Sequence, residues 1–146
     1  MKIIGTGSAL PEQIVTNEDL TKFLDTSDEW IVSHTGIRER RVLDRESVND
    51  IGTLAARRAL EDAGLALEEL DLLICSNVAS DYFTPGPACF IAGALGFSGQ
   101  TLDMNGACTG FLQALDLADA YLRAGKVRNV LIVAAEKPVS YTHLRA

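Results

Sequence analysis

The run Val130 to Ala135 is apolar without interruption, and that stretch limits the possible fold more than any other. A strand points alternate side chains to opposite faces, so one with no polar position needs cover on both. The usual solution is a parallel sheet with helices packed above and below. The rest of the chain carries the matching pieces. Leu72 to Cys75 reads as a second buried strand, Thr101 to Met104 as a third, and Lys2 to Ile4 as a further one, followed by a Gly-containing loop to Pro11. Ser47 or Asn49 opens a helix with Ile51, Leu54, Ala55 and Leu60 inward, and Gly64 ends it. Pro85 and Pro87 punctuate a loop and start a helix through Phe90, Ile91, Ala94 and Leu95. The strongest amphipathic pattern follows Cys108, with Phe111, Leu112, Leu115, Ala118, Tyr121 and Leu122, and stops at Gly125. Near the start, Asn17 is placed to cap a short helix bearing Leu20, Phe23 and Leu24. Ser27 caps a second, which carries Trp30 and Ile31 to Gly36, and Ile37 to Leu43 is loop or edge strand. This alternation predicts a layered α/β fold. No internal repeat or low-complexity linker interrupts it.

Charge narrows the function classes. Thirteen Lys and Arg against twenty Asp and Glu leave a net charge of −7, which disfavours nucleic-acid binding through a positive field. The bases are unevenly placed: none lies between Arg58 and Arg123, while Arg38, Arg40, Arg41 and Arg45 cluster. An anionic ligand is therefore expected near that cluster. Glu61 to Asp71 holds five acids and no base, and reads as a solvated helix end and loop. Cys75, Cys89 and Cys108 are odd in number and at no metal-ligand spacing, so neither a disulfide framework nor a metal site is expected. The apolar start is too short for a signal-peptide core, and no run approaches a membrane span. A cytoplasmic location is the resulting expectation.

Cys108 lies in Asn105-Gly106-Ala107-Cys108-Thr109-Gly110-Phe111, between a short strand and a long helix. Small neighbours leave room for a substrate near the sulfur. The free amides and positive dipole end of a helix favour a thiolate there, as a nucleophile requires. A small packed residue is the other reading of the same position, since most cysteines are buried. Cys75, inside a strand, and Cys89, inside a helix, read as core. Gly5-Thr6-Gly7 is no dinucleotide fingerprint, because a third Gly is missing and Pro11 stands where a helix should open.

The segment Gly106-Ala107-Cys108-Thr109-Gly110-Phe111 resembles the nucleophile motif of the β-ketoacyl-acyl-carrier-protein synthase III family. The resemblance extends through Gly5-Thr6-Gly7-Ser8 with Leu10-Pro11-Glu12, Thr16-Asn17 with Asp19-Leu20, Asp25-Thr26-Ser27-Asp28-Glu29-Trp30-Ile31 and Thr35-Gly36-Ile37-Arg38-Glu39-Arg40. It implies the N-terminal half of a thiolase-like fold over residues 1–137. It also implies a decarboxylative Claisen condensation that begins fatty-acid synthesis. Cys108 would take the acyl group of acyl-CoA, acetyl-CoA first among candidates, and malonyl-acyl carrier protein would attack the resulting thioester. Acyl-CoA enters as a substrate, and no cofactor or metal is implied. A His and an Asn that assist decarboxylation come from the family's C-terminal half.

The resemblance further assigns Trp30 to stacking on the adenine of coenzyme A, with a core Trp as the alternative. Thr26 is a hydrogen-bonding neighbour in that site. His34 stands where the family commonly has an Arg serving the coenzyme's phosphates; a solvated helix-end histidine is the other reading. Many relatives have Phe immediately before the proline of the Phe83-Thr84-Pro85-Gly86 loop, reaching into the partner's acyl pocket. Here Thr84 holds that place and Phe83 precedes it. Relatives form homodimers through the strand preceding the nucleophile, here Thr101 to Met104. Pro138 to Ala146 departs from the family's pattern and is expected to be a non-native tail on a truncated, inactive piece. Two other functions remain open. One is a same-fold synthase of quinolone, polyketide or hydroxymethylglutaryl-CoA type. The other is a non-catalytic acyl-CoA or carrier-protein binding module in which Cys108 only packs.

Overall fold

The structure is a computed structural model and describes residues 1–136. The closing segment Pro138 to Ala146, with His143, lies outside the described residues. The chain forms two compact units, one of Leu10–Glu46 and one of Met1–Ala9 with the chain from Ser47 onward.

In the smaller unit, β1 (Gln13–Thr16) pairs antiparallel with β2 (Glu39–Val42), with Gln13 opposite Val42 and Thr16 opposite Glu39. The edge-strand reading of the Ile37 to Leu43 segment is thus the one realised. Two short helices follow β1: α1 (Asn17–Thr21) and α2 (Asp28–Thr35). The cap of α1 is Thr16, not Asn17. The Thr16 hydroxyl accepts the Asp19 amide N–H, and the Asp19 carboxylate accepts the Thr16 amide in return. Asn17, relieved of capping, turns its side chain inward and is buried. Because α1 stops at Thr21, Phe23 falls outside its period and is exposed. Ser27 caps α2 as expected by accepting the Trp30 amide, and Gly36 closes it at φ +72°, a left-handed conformation that favours glycine.

In the larger unit a parallel sheet has the strand order β4 (Gln100–Met104), β3 (Leu72–Ser76), β5 (Val130–Ala134). Leu72 pairs with Gln100 on one side and Val130 on the other. Every residue of the central β3 is buried. Leu72 and Ile74 face helix α5 (Gly110–Arg123), forming a core with Ala114, Ala118 and Val127. Strand alternation sends Leu73 and Cys75 to the opposite face, the side of helices α3 (Val48–Ala63) and α4 (Pro87–Leu95). The layered α/β architecture read from the sequence is present.

The inward faces of the helices differ from the expected ones. In α3 the buried positions include Val48, Gly52 and Ala56, while Leu54 is exposed. A Cβ on Gly52 would come within 3.0 Å of Ile91 Cδ1 on α4, so this helix pair meets through a glycine. In α5 the buried stripe is Gly110, Ala114 and Ala118, and Phe111 and Leu112 are exposed. Small side chains let a helix approach a sheet or a second helix closely, and the large ones then flank the contact. Cys89, expected in the core, is exposed for a related reason. The buried face of α4 runs through Ala88, Ile91, Ala92 and Leu95, and Cys89 lies off it, exposed. Ala94 is likewise exposed.

Lys2 to Ile4 forms no strand. A strand exists through its ladder, and no described strand pairs with this one. The segment instead runs against α3, where a Cβ on Gly7 would sit 2.3 Å from the Ala55 carbonyl oxygen and one on Gly5 2.6 Å from that of Ala59. Ile3 and Ile4 are left exposed.

Candidate active site

The sequence around Cys108 folds as a tight elbow. Strand β4 ends at Met104, Ala107–Thr109 make one 3₁₀ turn, and α5 begins at Gly110. Ala107 has φ +46°, a left-handed conformation that costs a residue with a Cβ about 1–2 kcal/mol. The flanking glycines make the elbow possible by their lack of side chains. A Cβ on Gly106 would lie 2.9 Å from Gly110 Cα, and one on Gly110 would lie 2.5 Å from Ser76 Oγ at the end of β3. Thr109 supplies the tie: its hydroxyl donates to the Gly106 carbonyl at 2.8 Å and accepts from Gln113 Nε2 at 3.1 Å. Being so engaged, the Thr109 side chain does not cap α5, and the Thr109 and Gly110 amides donate within the turn, to the Gly106 and Ala107 carbonyls. Cys108 stands exposed at that helix start. The packed-residue reading of Cys108 is therefore not the arrangement found.

The other cysteines contrast with it. Cys75 is buried in β3, and burial, followed by the charges of Asp103 and Glu136, pushes its thiol up to about 12. It stays protonated near neutrality. Cys89 lies with its sulfur 3.5 Å from Thr101 Oγ1.

A cavity of about 560 Å³ opens at the carboxyl ends of β3 and β4, beside the elbow. Its walls include Asn77, Tyr82, Phe83, Asp103 and Asn105. In open parallel sheets ligands bind at this end of the strands. Asp103 on β4 also holds α4: its carboxylate accepts the Ala88 amide at 2.8 Å, and a Cβ on Gly86 would overlap it at 2.0 Å. Two exposed aromatics precede Pro85 and differ in kind: Tyr82 stacks on Phe90 at 4.8 Å between ring centroids, while Phe83 is fully exposed.

Thr26, Trp30 and His34 lie in the smaller unit. Trp30 is 48% exposed and not a core residue. The His34 ring stacks on it, with centroids 4.3 Å apart and planes 21° apart. His34 Nδ1 lies 2.8 Å from the Trp30 carbonyl oxygen and 3.1 Å from Ser33 Oγ. A carbonyl only accepts, so that contact places a proton on Nδ1 and leaves Nε2 of a neutral ring as an acceptor. The Thr26 hydroxyl oxygen is buried with no partner among the described residues, which is costly unless a ligand satisfies it. Of the arginine cluster, Arg40 bonds Asn17, Arg41 reaches the Pro11 and Glu12 carbonyls, and Arg45 pairs with Asp44 at 3.9 Å. Arg38 is exposed.

Sequence reasoning missed the left-handed Ala107, the Thr109–Gln113 tie and the part played by Asp103. Only the glycines at 106 and 110 signalled a close approach there. Among the described residues no group of three His, Cys, Asp or Glu side chains is placed to hold a metal.

Comparison with known proteins places this geometry. A family model described as 3-oxoacyl-[acyl-carrier-protein (ACP)] synthase III matches residues 102–145. The β-ketoacyl-[acyl-carrier-protein] synthase III of Clostridium acetobutylicum is 46% identical over 137 residues, 93% of this chain and 42% of that protein. The same-named protein of Aquifex aeolicus is 46% identical over 93% of this chain and 44% of its own length. Among solved structures, the 3-oxoacyl-[acyl-carrier-protein] synthase III of Aquifex aeolicus superposes with a TM-score of 0.92 at 44% identity, covering 95% of this chain and 46% of that one. The priming β-ketosynthase of the R1128 polyketide pathway gives 0.89 at 37% identity, covering 93% of this chain and 41% of that one. The chain thus spans under half the length of the relatives it matches.

Proposed function

Because the chain belongs to the β-ketoacyl-[acyl-carrier-protein] synthase III family, whose members are condensing acyltransferases, we propose that Cys108 is the acyl acceptor of a decarboxylative Claisen condensation. The observation that carries this is the elbow itself: a left-handed Ala107 between glycines raises an exposed thiol at an uncapped helix start. The Cys108 thiolate adds to the thioester carbonyl of acyl-CoA, and the adduct collapses with departure of the coenzyme A thiolate. The positive dipole end of α5 suits the oxyanion of that adduct. The malonyl group of a malonyl-acyl carrier protein then loses CO₂, and its carbanion attacks the acyl-cysteine. The product is 3-oxoacyl-acyl carrier protein, and Cys108 is released as thiolate. Decarboxylation is assigned to a His and an Asn outside this stretch, so these 146 residues alone are expected to perform no condensation.

Acyl-CoA is proposed to bind with its adenine on Trp30 and a polar atom on the Thr26 hydroxyl. The exposure of Trp30 and the unpartnered Thr26 oxygen support this. His34 is a weaker phosphate partner than an Arg would be, since a neutral imidazole lacks the guanidinium's charge and fork. The outer edge of β4 pairs with no described strand, and a second copy is the proposed occupant, giving a homodimer. No helix among the described residues is long and apolar enough to cross a membrane, in keeping with a proposed cytoplasmic role in fatty-acid synthesis. The likeness to a priming polyketide synthase keeps a polyketide starter reaction as the second reading.

The test is condensation of acetyl-CoA with malonyl-acyl carrier protein by the complete gene product. Cys108→Ala should abolish product formation. Activity at the parent level in that variant would end the assignment, and preference for a longer or branched starter over acetyl-CoA would favour the second reading.

A further inference from the structure

In the smaller unit a single buried side chain holds both ends of α2. Asn17 is 1% exposed. Its Nδ2 donates to Asp28 Oδ1 at 2.7 Å and to the Ile37 carbonyl at 2.8 Å, and its Oδ1 accepts from Arg40 Nη1 at 2.5 Å. Asp28 is the first residue of α2, Ile37 follows its closing Gly36, and Arg40 lies on β2. The contacts use the chemistry of a carboxamide in full, two N–H donors and one carbonyl on a rigid plane. An Asp at 17 would lack the donors and set a second carboxylate against Asp28. A Leu of similar shape would leave a carboxylate, a carbonyl and a guanidinium without their partner.

Apolar packing gives α2 little else, for Ile31 is its only buried residue. Trp30 and His34, stacked on each other, both project from this helix in exposed positions. Their pose is therefore set by whatever fixes the helix. We propose that Asn17 is a positioning residue for nucleotide recognition: by clamping the start of α2, the residue after its end and β2 together, it sets the pose in which the Trp30–His34 pair meets the adenine of acyl-CoA. The inference rests on the reading that Trp30 stacks that adenine. It assigns Asn17 no contact with substrate.

The experiment compares two acetyl donors in the complete gene product: acetyl-CoA, and S-acetyl-N-acetylcysteamine, which keeps the thioester and lacks the nucleotide. The variants are N17L, D28A and W30A. Loss of one base–aromatic stack corresponds to roughly 5- to 150-fold in affinity, and a displaced stack should lose part of that. We expect kcat/KM for acetyl-CoA to fall on the order of tenfold in N17L and less in D28A, which keeps two of the three Asn17 bonds. The nucleotide-free donor should react in each at the parent rate. A merely structural role would slow both donors alike. If N17L does not fold, D28A decides. If W30A discriminates between the donors while D28A and N17L do not, the clamp is overturned alone. If W30A itself slows both equally, the nucleotide reading fails and the clamp's purpose with it.

Discussion

Ala107 offers the sharpest test of how the elbow works. At φ +46° its Cβ costs about 1–2 kcal/mol relative to an unstrained residue, and replacement by Gly removes that cost. The same change loosens the unfolded chain, which costs about 0.4–1 kcal/mol. Ala107→Gly should therefore be neutral or stabilising by up to about 1.5 kcal/mol, opposite in sign to an ordinary Ala-to-Gly change in a turn of favourable φ. Ala107→Val adds a β-branched side chain at the same φ and should destabilise by about 1–3 kcal/mol. Reactivity should move against stability. A glycine at 107 lets Cys108 sample other positions, and a misplacement of about 1 Å can cost on the order of 100-fold in rate. Denaturant unfolding gives the stability, and the pre-steady-state rate of acyl transfer from acetyl-CoA gives the reactivity. If Ala107→Gly lost more than about 1 kcal/mol and Ala107→Val were neutral, the strain argument would be refuted.

Two further outcomes follow from the cysteines and the α4 anchor. Burial raises the Cys75 thiol from its ordinary 9.0 to about 12, so above pH 9 the unfolded chain releases a proton that the folded one retains. Stability is fully present below that pH and falls by up to about 1.4 kcal/mol per pH unit as pH climbs towards 12. Cys75→Ala should flatten the fall measured by denaturant unfolding, and an unchanged slope would contradict the burial. Asp103→Ala removes the acceptor of the Ala88 amide and should cost about 1 kcal/mol in the same assay, while Asp103→Asn, which keeps a carbonyl acceptor, should retain most of it.

The parts legible in the sequence were those fixed by local chemistry. Ser47 with Gly64 and Ser27 with Gly36 bound their helices where expected, because an N-cap oxygen and a left-handed glycine act within a few residues. The buried strands β3 and β5 announced themselves by continuous apolarity. Side-chain size misled the reading of helix faces: Leu54, Phe111 and Leu112 look inward by hydrophobicity, yet Gly52, Gly110 and Ala114 make the contacts, with Ala118 buried as expected. Close approach selects small residues, and a pattern count gives them little weight. Asn17 and Asp103 act across 11 and 15 residues or more, distances at which no local pattern carries a signal. The motif around Cys108 marked the candidate nucleophile, but the backbone strain beside it belongs to Ala107, whose single methyl gives no sign of it.

The most direct test of Cys108 as acyl acceptor is the site of the acyl group after the complete gene product meets acetyl-CoA without malonyl-acyl carrier protein. All three cysteines lie between Arg58 and Arg123, where trypsin has no site. Cleavage before Asp71, Asp81, Asp103 and Asp116 separates them into three peptides, one for each. Mass spectrometry of an acid-quenched digest, where thioesters survive, should find the acetyl group on the peptide beginning at Asp103, and Cys108→Ala should abolish it. Acetylation of the Cys75 or Cys89 peptide instead, or of none, would contradict the account.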